Sequence, residues 1–405
     1  MSAPPRRILL ADADAFFVAV ARLVDPEGAG REPLLIVGGT RQSRGVVCSA
    51  SYETRAFGVR SAMPIARALR LCPQAVCVPV PRKACQQKSG EIRQVLERFS
   101  PVVEGASIDE WYLDLAGTES LYRREPLAET ARRIREMIHR DTGLGVSFGG
   151  GTSKLVAKLA VERAKPKPGN DATGVHVVPA GEEAGFLRGF ALAEIPMVGP
   201  RFQERLAKLG MHTVPDVLQY DVGTLTRWIG AREAAWLYDR VRGVDAREVA
   251  PRLETKSISR DETFPQDMAD DAALLRELLT LVTRAAADLR AEGLTARTVT
   301  VRIRDHDFRT RSASRTVEDG VMSDRVILAI ARQLLTRLRA GRTVPARLLS
   351  VALTSLAEDE AADQLALFER ERDGIVETDR DRAVARAMDQ VRARFGPDGI
   401  VPGGR

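Results

Sequence analysis

The chain has 405 residues, 44% of them hydrophobic, with 61 basic against 55 acidic side chains. That is enough apolar material for several globular domains, and the mild basic excess points towards a polyanionic partner. Four scattered histidines, and four cysteines (Cys48, Cys72, Cys77, Cys85) without paired CxxC spacing, argue against a structural zinc site or a disulfide framework; no apolar run reaches signal-peptide or membrane-spanning length, so a cytoplasmic protein without a membrane partner is expected.

In chain order, RILLADADAFF predicts a short buried strand, Ile8 to Ala11, that ends in carboxylates and passes into a helix from Phe16 to Leu23. Residues 102–115 alternate as two strands, VVEGA and WYLDL, with SIDE at or near the turn. PLAETARRIREMIHRDTG then places Leu127, Ala131, Ile134 and Ile138 at helical spacing, with Gly143 as the stop. A strand, GLGVSFG, and a helix from Lys154 to Ala164 follow. With the insert between residues 24 and 90 set aside, this is the split βαββαβ order of a ferredoxin-like domain. In that topology the first strand neighbours the hairpin, which predicts that Asp12, Asp109 and Glu110 converge.

KPKPGNDATG, 165 to 174, reads as a domain exit. IPMVGPRFQERLAKLG predicts a hairpin and a helix, with Gly199 and Pro200 at the turn and Gly210 as the helix stop. AREVAPRLETK, 246 to 256, reads as a linker, and a second α/β domain follows: helices over 270–291 and 323–339, strands near 297–304 and 308–316, and the strand LLSVALTSL. In the first of these strands Val299, Val301 and Ile303 alternate with Thr300, Arg302 and Arg304; the next adds Arg309, Arg311 and Arg315, predicting one basic sheet face suited to backbone phosphates. An acidic stretch, QLALF and a last helix close the chain. In that helix Thr378 with Asp381 reads as an N-cap, and Val384, Ala387, Val391 and Phe395 form an apolar stripe predicted to dock on the body or on a partner.

Adjacent carboxylates repel, so a fold that keeps them partly buried has a cation to put there. Three converging carboxylates can hold two divalent cations about 3.5 to 4 Å apart, which stabilises both the attacking and the leaving oxygen of an in-line phosphoryl displacement. Hard oxygen ligands suit magnesium. Two acidic surface turns would show the same spacing.

DADAFF, SYETRAFGVRSAMP, SIDEWYLDL, TSKLVAKLA with AKPKPG, and KSISRDETF occur in this order, and together they resemble the Y-family lesion-bypass DNA polymerases of the DNA polymerase IV type over residues 7 to 356. The resemblance implies an α/β (α+β) right-hand polymerase: a ferredoxin-like palm (1–15 and 81–170), fingers (16–80), a helix-hairpin-helix thumb (171–243), a linker (244–254), an α/β little finger (255–357) and a tail (358–405) with a clamp-binding motif. It implies Asp12 and Asp109 as bridging ligands of two Mg2+ ions, Glu110 as the third catalytic carboxylate and the Ala13 carbonyl as a further ligand. Phe16, Ser49, Tyr52, Arg55 and Lys165 become nucleotide contacts, and Phe17 the steric gate under the sugar. Cys48 and Ala62 line the nascent base pair. Gly199, Arg302, Arg304, Arg309 and Arg311 become DNA contacts. QLALF, through Gln364, Leu365, Leu367 and Phe368, becomes the sliding (beta) clamp peptide. The implied partners are primer-template DNA, a dNTP and the clamp, with the enzyme a monomer.

Three departures stand out: Ala21 where a glutamate is usual, Ser153 where an asparagine is usual, and Met197 where a glycine is common, the last weakening phosphate binding by that hairpin's amides. A catalytically inactive scaffold of a mutagenesis complex would lack the carboxylates, all of which are present, and a nucleotidyl cyclase would leave the thumb, the basic sheet and QLALF unexplained.

Overall fold

The computed structural model describes residues 5–41, 44–122, 125–166, 169–250, 254–359, 376–396 and 400, and divides into two compact units, residues 1–253 and 254–405. Among the described residues no helix is long and apolar enough to cross a membrane.

The first unit opens with β1 (Ile8–Ala13) and α1 (Phe16–Val24), then an insert of β2 (Leu35–Gly38), β3 (Val47–Ala50), α2 (Tyr52–Ala56), α3 (Ile65–Leu71) and β4 (Val76–Val78). It returns through α4 (Arg82–Glu97), β5 (Val102–Gly105), β6 (Glu110–Asp114), α5 (Leu127–Thr142), β7 (Val146–Gly151), α6 (Lys154–Ala164) and β8 (Val175–Val177). The main sheet has the order β5-β6-β1-β7-β8, so β1 lies between the hairpin and β7, as the βαββαβ order requires. Every residue of β1 and β7 is buried, which is why RILLADA reads as a continuous apolar run rather than an alternating one. The insert forms its own three-stranded sheet, β3-β2-β4, over a small core of Ile36, Val47, Val59 and Ile65.

Gly149 sets the height of α6 above this sheet. A Cβ there would collide with the Ala157 carbonyl and the Val161 amide, so only glycine lets α6 lie directly on β7. Lys154 at the start of α6 is buried and bonds both oxygens of Glu104 on β5, at 2.5 and 2.7 Å; Glu104 also accepts the Ala250 amide at 2.8 Å. With Val249 packed against Ile8, Leu10 and Tyr112, residues 249 and 250 of the expected linker are fastened to the sheet.

The helices α7 (Glu183–Leu187), α8 (Pro200–Ala207), α9 (Val214–Leu218), α10 (Val222–Ile229) and α11 (Ala231–Arg240) pack around one core of Leu187, Phe190, Leu206, Leu225 and Leu237. In the turn before α8, Met197 has φ 74 and is 75% exposed.

The second unit runs β9 (Ser257–Met268), α12 (Asp271–Ala291), β10 (Leu294–Asp305), β11 (Thr310–Val321), α13 (Asp324–Gly341), β12 (Ala346–Glu358) and α14 (Asp379–Phe395). Its antiparallel sheet, β11-β10-β12-β9, carries α12 and α13 on the face lined by Val299, Val301 and Ile303. The expected N-cap of α14 is present: the Thr378 hydroxyl accepts from the Asp381 amide at 3.3 Å. Of the two dockings expected for the apolar stripe, the one on the body is a correction. Val384 and Phe395 are exposed, and the docked face is Ala385 with charges: Arg290 bonds Asp389 at 2.6 and 2.8 Å, while Arg382 and Arg386 both hold Asp359, at 3.1 and 2.7 Å. Ion pairs decide this contact because α14 offers few large apolar side chains.

A side chain held at positive φ costs about 1 kcal/mol or more relative to glycine. Met197→Gly is therefore expected to raise thermal stability by about 1 kcal/mol, read as a higher melting temperature.

Candidate active site and nucleic-acid interface

β1 pairs with β6 in a register that sets Asp12 directly opposite Glu110, and the Ala13 amide donates to the Asp109 carbonyl at 2.9 Å. The two carboxylates share cations. Lys158 Nζ lies 2.6 Å from Glu110 Oε1 and 3.5 Å from Asp12 Oδ2, and Lys165 Nζ lies 3.0 Å from Asp12 Oδ2 and 2.7 Å from Glu162. Burial raises the Asp12 carboxyl above its ordinary range, and the neighbouring Glu110 adds to this against the two ammoniums. Burial pulls Lys165 down, but Asp12 and Glu162 outweigh it and hold that ammonium above its usual range.

The expected convergence of all three carboxylates is not what this state contains. Asp109 lies in the exposed turn before β6, where its carboxylate accepts from its own Ser107 hydroxyl at 2.5 Å, and among the described residues no group of three acidic, histidine or cysteine side chains is close enough to hold an ion. The two ammoniums are taken up by Asp12, Glu110 and Glu162, and Asp109 takes a neutral local donor instead. The donor set nevertheless suits a hard divalent cation: carboxylate oxygens and backbone carbonyls on two hydrogen-bonded strands, with positive charge already drawn in between them.

Asp14, between the two motif phenylalanines and Asp12, also lines this end of β1. Its carboxyl is raised by burial and accepts from the Ser147 hydroxyl at 2.8 Å. The Phe16 ring is wholly buried in the core and meets Phe17 edge-on, with centroids 5.5 Å apart, so any contact Phe16 makes with a nucleotide comes from its backbone. Phe17 is half-buried on the same helix.

In the insert, Ser51 caps the short helix α2, its hydroxyl accepting from the Thr54 amide at 3.3 Å. Arg55 donates to the Ala50 carbonyl at 2.9 Å and to the buried Ser49 hydroxyl at 3.4 Å, and its guanidinium stacks 4.9 Å from the Tyr52 ring centroid. Burial raises the Tyr52 phenol, followed by the charge of Asp14, with Lys165 acting in the opposite sense, so Tyr52 shares one electrostatic environment with β1 and the end of α6. Lys165 thus touches Asp12 directly, while Arg55 is tied both to Ser49 and to Tyr52. Cys48 and Ala62 are both exposed, and Ala62 has φ 64.

Of the expected DNA contacts, Arg302 and Arg304 lie on the sheet face away from the helices, Arg304 donating to Thr310 at 3.0 Å. Arg309 is exposed in the turn before β11. Arg311 and Arg315 are corrections. The register pairs Arg311 with Ile303 and Arg315 with Val299, which turns both towards the helices: Arg311 bonds the buried Asp305 at 3.0 Å and the Leu338 carbonyl, and Arg315 bonds Gln333 at 2.9 Å. The open face is instead rich in hydroxyls, with Thr298 bonded to Thr316 at 3.0 Å and Thr300 to Ser314 at 2.9 Å. The Gly199 amide is spent on the Met197 carbonyl at 3.1 Å, inside its own turn. Gln364, Leu365, Leu367 and Phe368 lie outside the described residues.

Two residues of this site carried no role in the sequence reading: Lys158 and Asp14. Lys154 and Lys158 four apart, followed by Lys165, is a signal that one side of α6 delivers ammonium groups to the sheet.

The impB/mucB/samB family matches residues 11–162, the C-terminal domain of that family residues 255–367, and the DNA polymerase-iota thumb domain residues 193–245. DNA polymerase IV of Dehalococcoides mccartyi is 36% identical over 355 residues, 88% of this chain and 88% of its own length; DNA polymerase IV of Alkalilimnicola ehrlichii is 37% identical over 367 residues, 90% and 99%. Among solved structures, a Y-family DNA polymerase chimera of Dbh and Dpo4 matches with a TM-score of 0.76 at 25% identity, covering 87% of this chain and 99% of that one. DinB from Sulfolobus solfataricus matches with a TM-score of 0.57 at 26% identity, covering 86% and 98%. The chain belongs to the Y family of DNA polymerases. Within that family its relatives are of the DNA polymerase IV type, and it is an enzyme, a DNA-directed DNA polymerase.

The two kinds of arginine separate experimentally. Arg302→Ala is expected to lower the slope of log affinity for DNA against log salt by about one, with the melting temperature unchanged. Arg311→Ala is expected to leave that slope unchanged and to destabilise the fold by about 2 kcal/mol, because it strips a charged partner from buried Asp305.

Proposed function

We propose that the enzyme performs template-directed, error-prone translesion synthesis, joining a dNTP to a primer 3′-hydroxyl with two Mg2+ ions and reaching its substrate through the sliding clamp. The observation that carries this reading is the pairing of Asp12 with Glu110 across β1 and β6, with Asp109 one residue away and Lys165 against Asp12. The five-stranded sheet with α4, α5 and α6 serves as palm, α1 and the insert as fingers, α7 to α11 as thumb and β9 to β12 with α12 and α13 as little finger.

Asp12, Asp109, Glu110 and the Ala13 carbonyl would hold the ions, which supply an acidified primer hydroxyl and charge neutralisation at the leaving pyrophosphate. The chain's own groups do the rest. Arg55, already oriented by the Ala50 carbonyl and the Tyr52 ring, offers a planar fork to the triphosphate, Lys165 a point charge, and Tyr52 and Ser49 hydroxyl donors. A triphosphate that draws Lys165 from Asp12 frees that carboxylate. Phe17 stands under the sugar and excludes a 2′-hydroxyl. Arg302 and Arg304, set among hydroxyls, hold backbone phosphate without reading sequence. Small exposed side chains at Cys48 and Ala62 leave room for a damaged template base. QLALF supplies Leu365, Leu367 and Phe368 to an apolar pocket on the clamp and raises the effective concentration of the polymerase at the primer.

Primer extension on undamaged and lesion-bearing templates tests the reading. Asp12→Ala, Asp109→Ala and Glu110→Ala should each abolish extension while primer-template affinity stays within about threefold, since these groups hold metal rather than DNA; near-normal extension by any of them contradicts the assignment. Phe17→Ala should admit ribonucleotides at least about tenfold better in kcat/KM, a difference of about 1.4 kcal/mol, with a mild loss for deoxyribonucleotides. A phenylalanine with only a packing role would lose both activities together and the melting temperature with them.

A further inference from the structure

The cation nearest to Glu110 is Lys158, to which no role has been given. Its Nζ makes hydrogen bonds to Glu110 at 2.6 Å and to Asp12 at 3.5 Å. Lys165 differs, because it divides its charge between Asp12 and Glu162 and ends α6. Lys158 sits in the middle of α6, whose backbone is pressed onto β7 at Gly149 and whose first residue is locked to Glu104. Neither the helix nor the strands can withdraw to separate the ammonium from the carboxylates, so only the side chain can move. A divalent cation bridging Asp12 and Glu110 would compete with the ammonium for the space and the negative charge between the same two carboxylates.

We infer that Lys158 is the counter-charge that keeps Asp12 and Glu110 side by side before metal binds, and that an incoming divalent cation must displace it from Glu110 Oε1. The inference rests on the reading of Asp12 and Glu110 as metal ligands. Lys158 is thus a positioning residue: it offsets the repulsion between two carboxylates placed directly opposite each other, and it weakens metal binding while no nucleotide is present. An unassisted metal is thereby kept off the carboxylates until a triphosphate brings further oxygen ligands, which suits an ion that uses substrate phosphates to complete its coordination.

Mn2+ binding to the full chain, without DNA or nucleotide, followed by loss of the free-ion electron paramagnetic resonance signal, tests this. Lys158→Gln and Lys158→Met, two neutral replacements of similar length, should bind Mn2+ at least about tenfold more tightly than the parent, because a unit positive charge has been removed within a few ångströms of a divalent ion. Lys158→Arg should bind as the parent does. The metal-free neutral variants should melt lower than the parent, and saturating Mn2+ should recover more of their melting temperature than it adds to the parent's. Unchanged or weaker Mn2+ binding by whichever neutral variant folds overturns the inference. Asp12→Asn and Glu110→Gln separate its failure from that of the site itself: if both lose Mn2+ binding while the lysine variants do not tighten it, only the role of Lys158 falls, and if neither changes Mn2+ binding, the metal-site reading falls with it.

Discussion

Two carboxylates directly opposite each other on hydrogen-bonded strands are unfavourable, and the register of β1 with β6 forces Asp12 and Glu110 into that relation. Much of the first unit serves to make the pairing tolerable. The glycine at 149 lets α6 come down onto the sheet, which puts Lys158 over both carboxylates and Lys165 over Asp12. The strand end is left negative and partly buried, with its positive charge on side chains that can leave. On the proposed function, a site built this way would accept cations and a polyanion together, the requirement of metal-assisted transfer from a triphosphate.

The second unit solves a different problem. Its sheet turns apolar residues to α12 and α13 and turns hydroxyls and two arginines outward, a surface that can donate many hydrogen bonds with modest charge. Hydroxyl and guanidinium donors meet phosphate oxygens regardless of base, so under the proposed function this face would contribute affinity and registration without sequence information. A polymerase that must copy past altered bases gains from grip of that kind. The closing helix is fastened to the same unit through Arg290, Arg382 and Arg386, whose acidic partners lie in both α14 and the strand end at Asp359.

The parts legible in the sequence were those set by local period. The buried run at Ile8, the helical spacing of Leu127 to Ile138 and the alternation of Val299, Val301 and Ile303 each returned as the element that its pattern implied. The facing of β11 did not, because alternation within a strand says nothing of its phase relative to a neighbour; the turn at residues 306–309 sets that phase, and it placed Arg311 and Arg315 with the core residues. β9 carried a recognisable motif yet was not read as a strand, since along twelve residues only Ile258 and Phe264 are buried. The docking of α14 on its own unit was not legible for a related reason: its docking partners, Arg290 and Asp359, lie outside the helix, and ion pairs leave no hydrophobic period to detect. For the candidate site, the motif order singled out Asp12, Asp109 and Glu110, and the structure sets Asp12 opposite Glu110, but the charge around them depends on how closely one helix approaches one strand, a property of Gly149 that no motif displays.

The proposed chemistry requires divalent metal to be held where β1 meets β6. A crystal structure with primer-template DNA, a non-hydrolysable dNTP and Mn2+, solved with anomalous scattering from the metal, addresses it directly. The account predicts anomalous peaks within coordination distance of Asp12, Asp109 and Glu110, with the Asp109 carboxylate turned away from Ser107 and the Lys165 ammonium on the triphosphate. Metal peaks elsewhere in the chain, with Lys158 and Lys165 still seated on Asp12 and Glu110 in the presence of nucleotide, would contradict it.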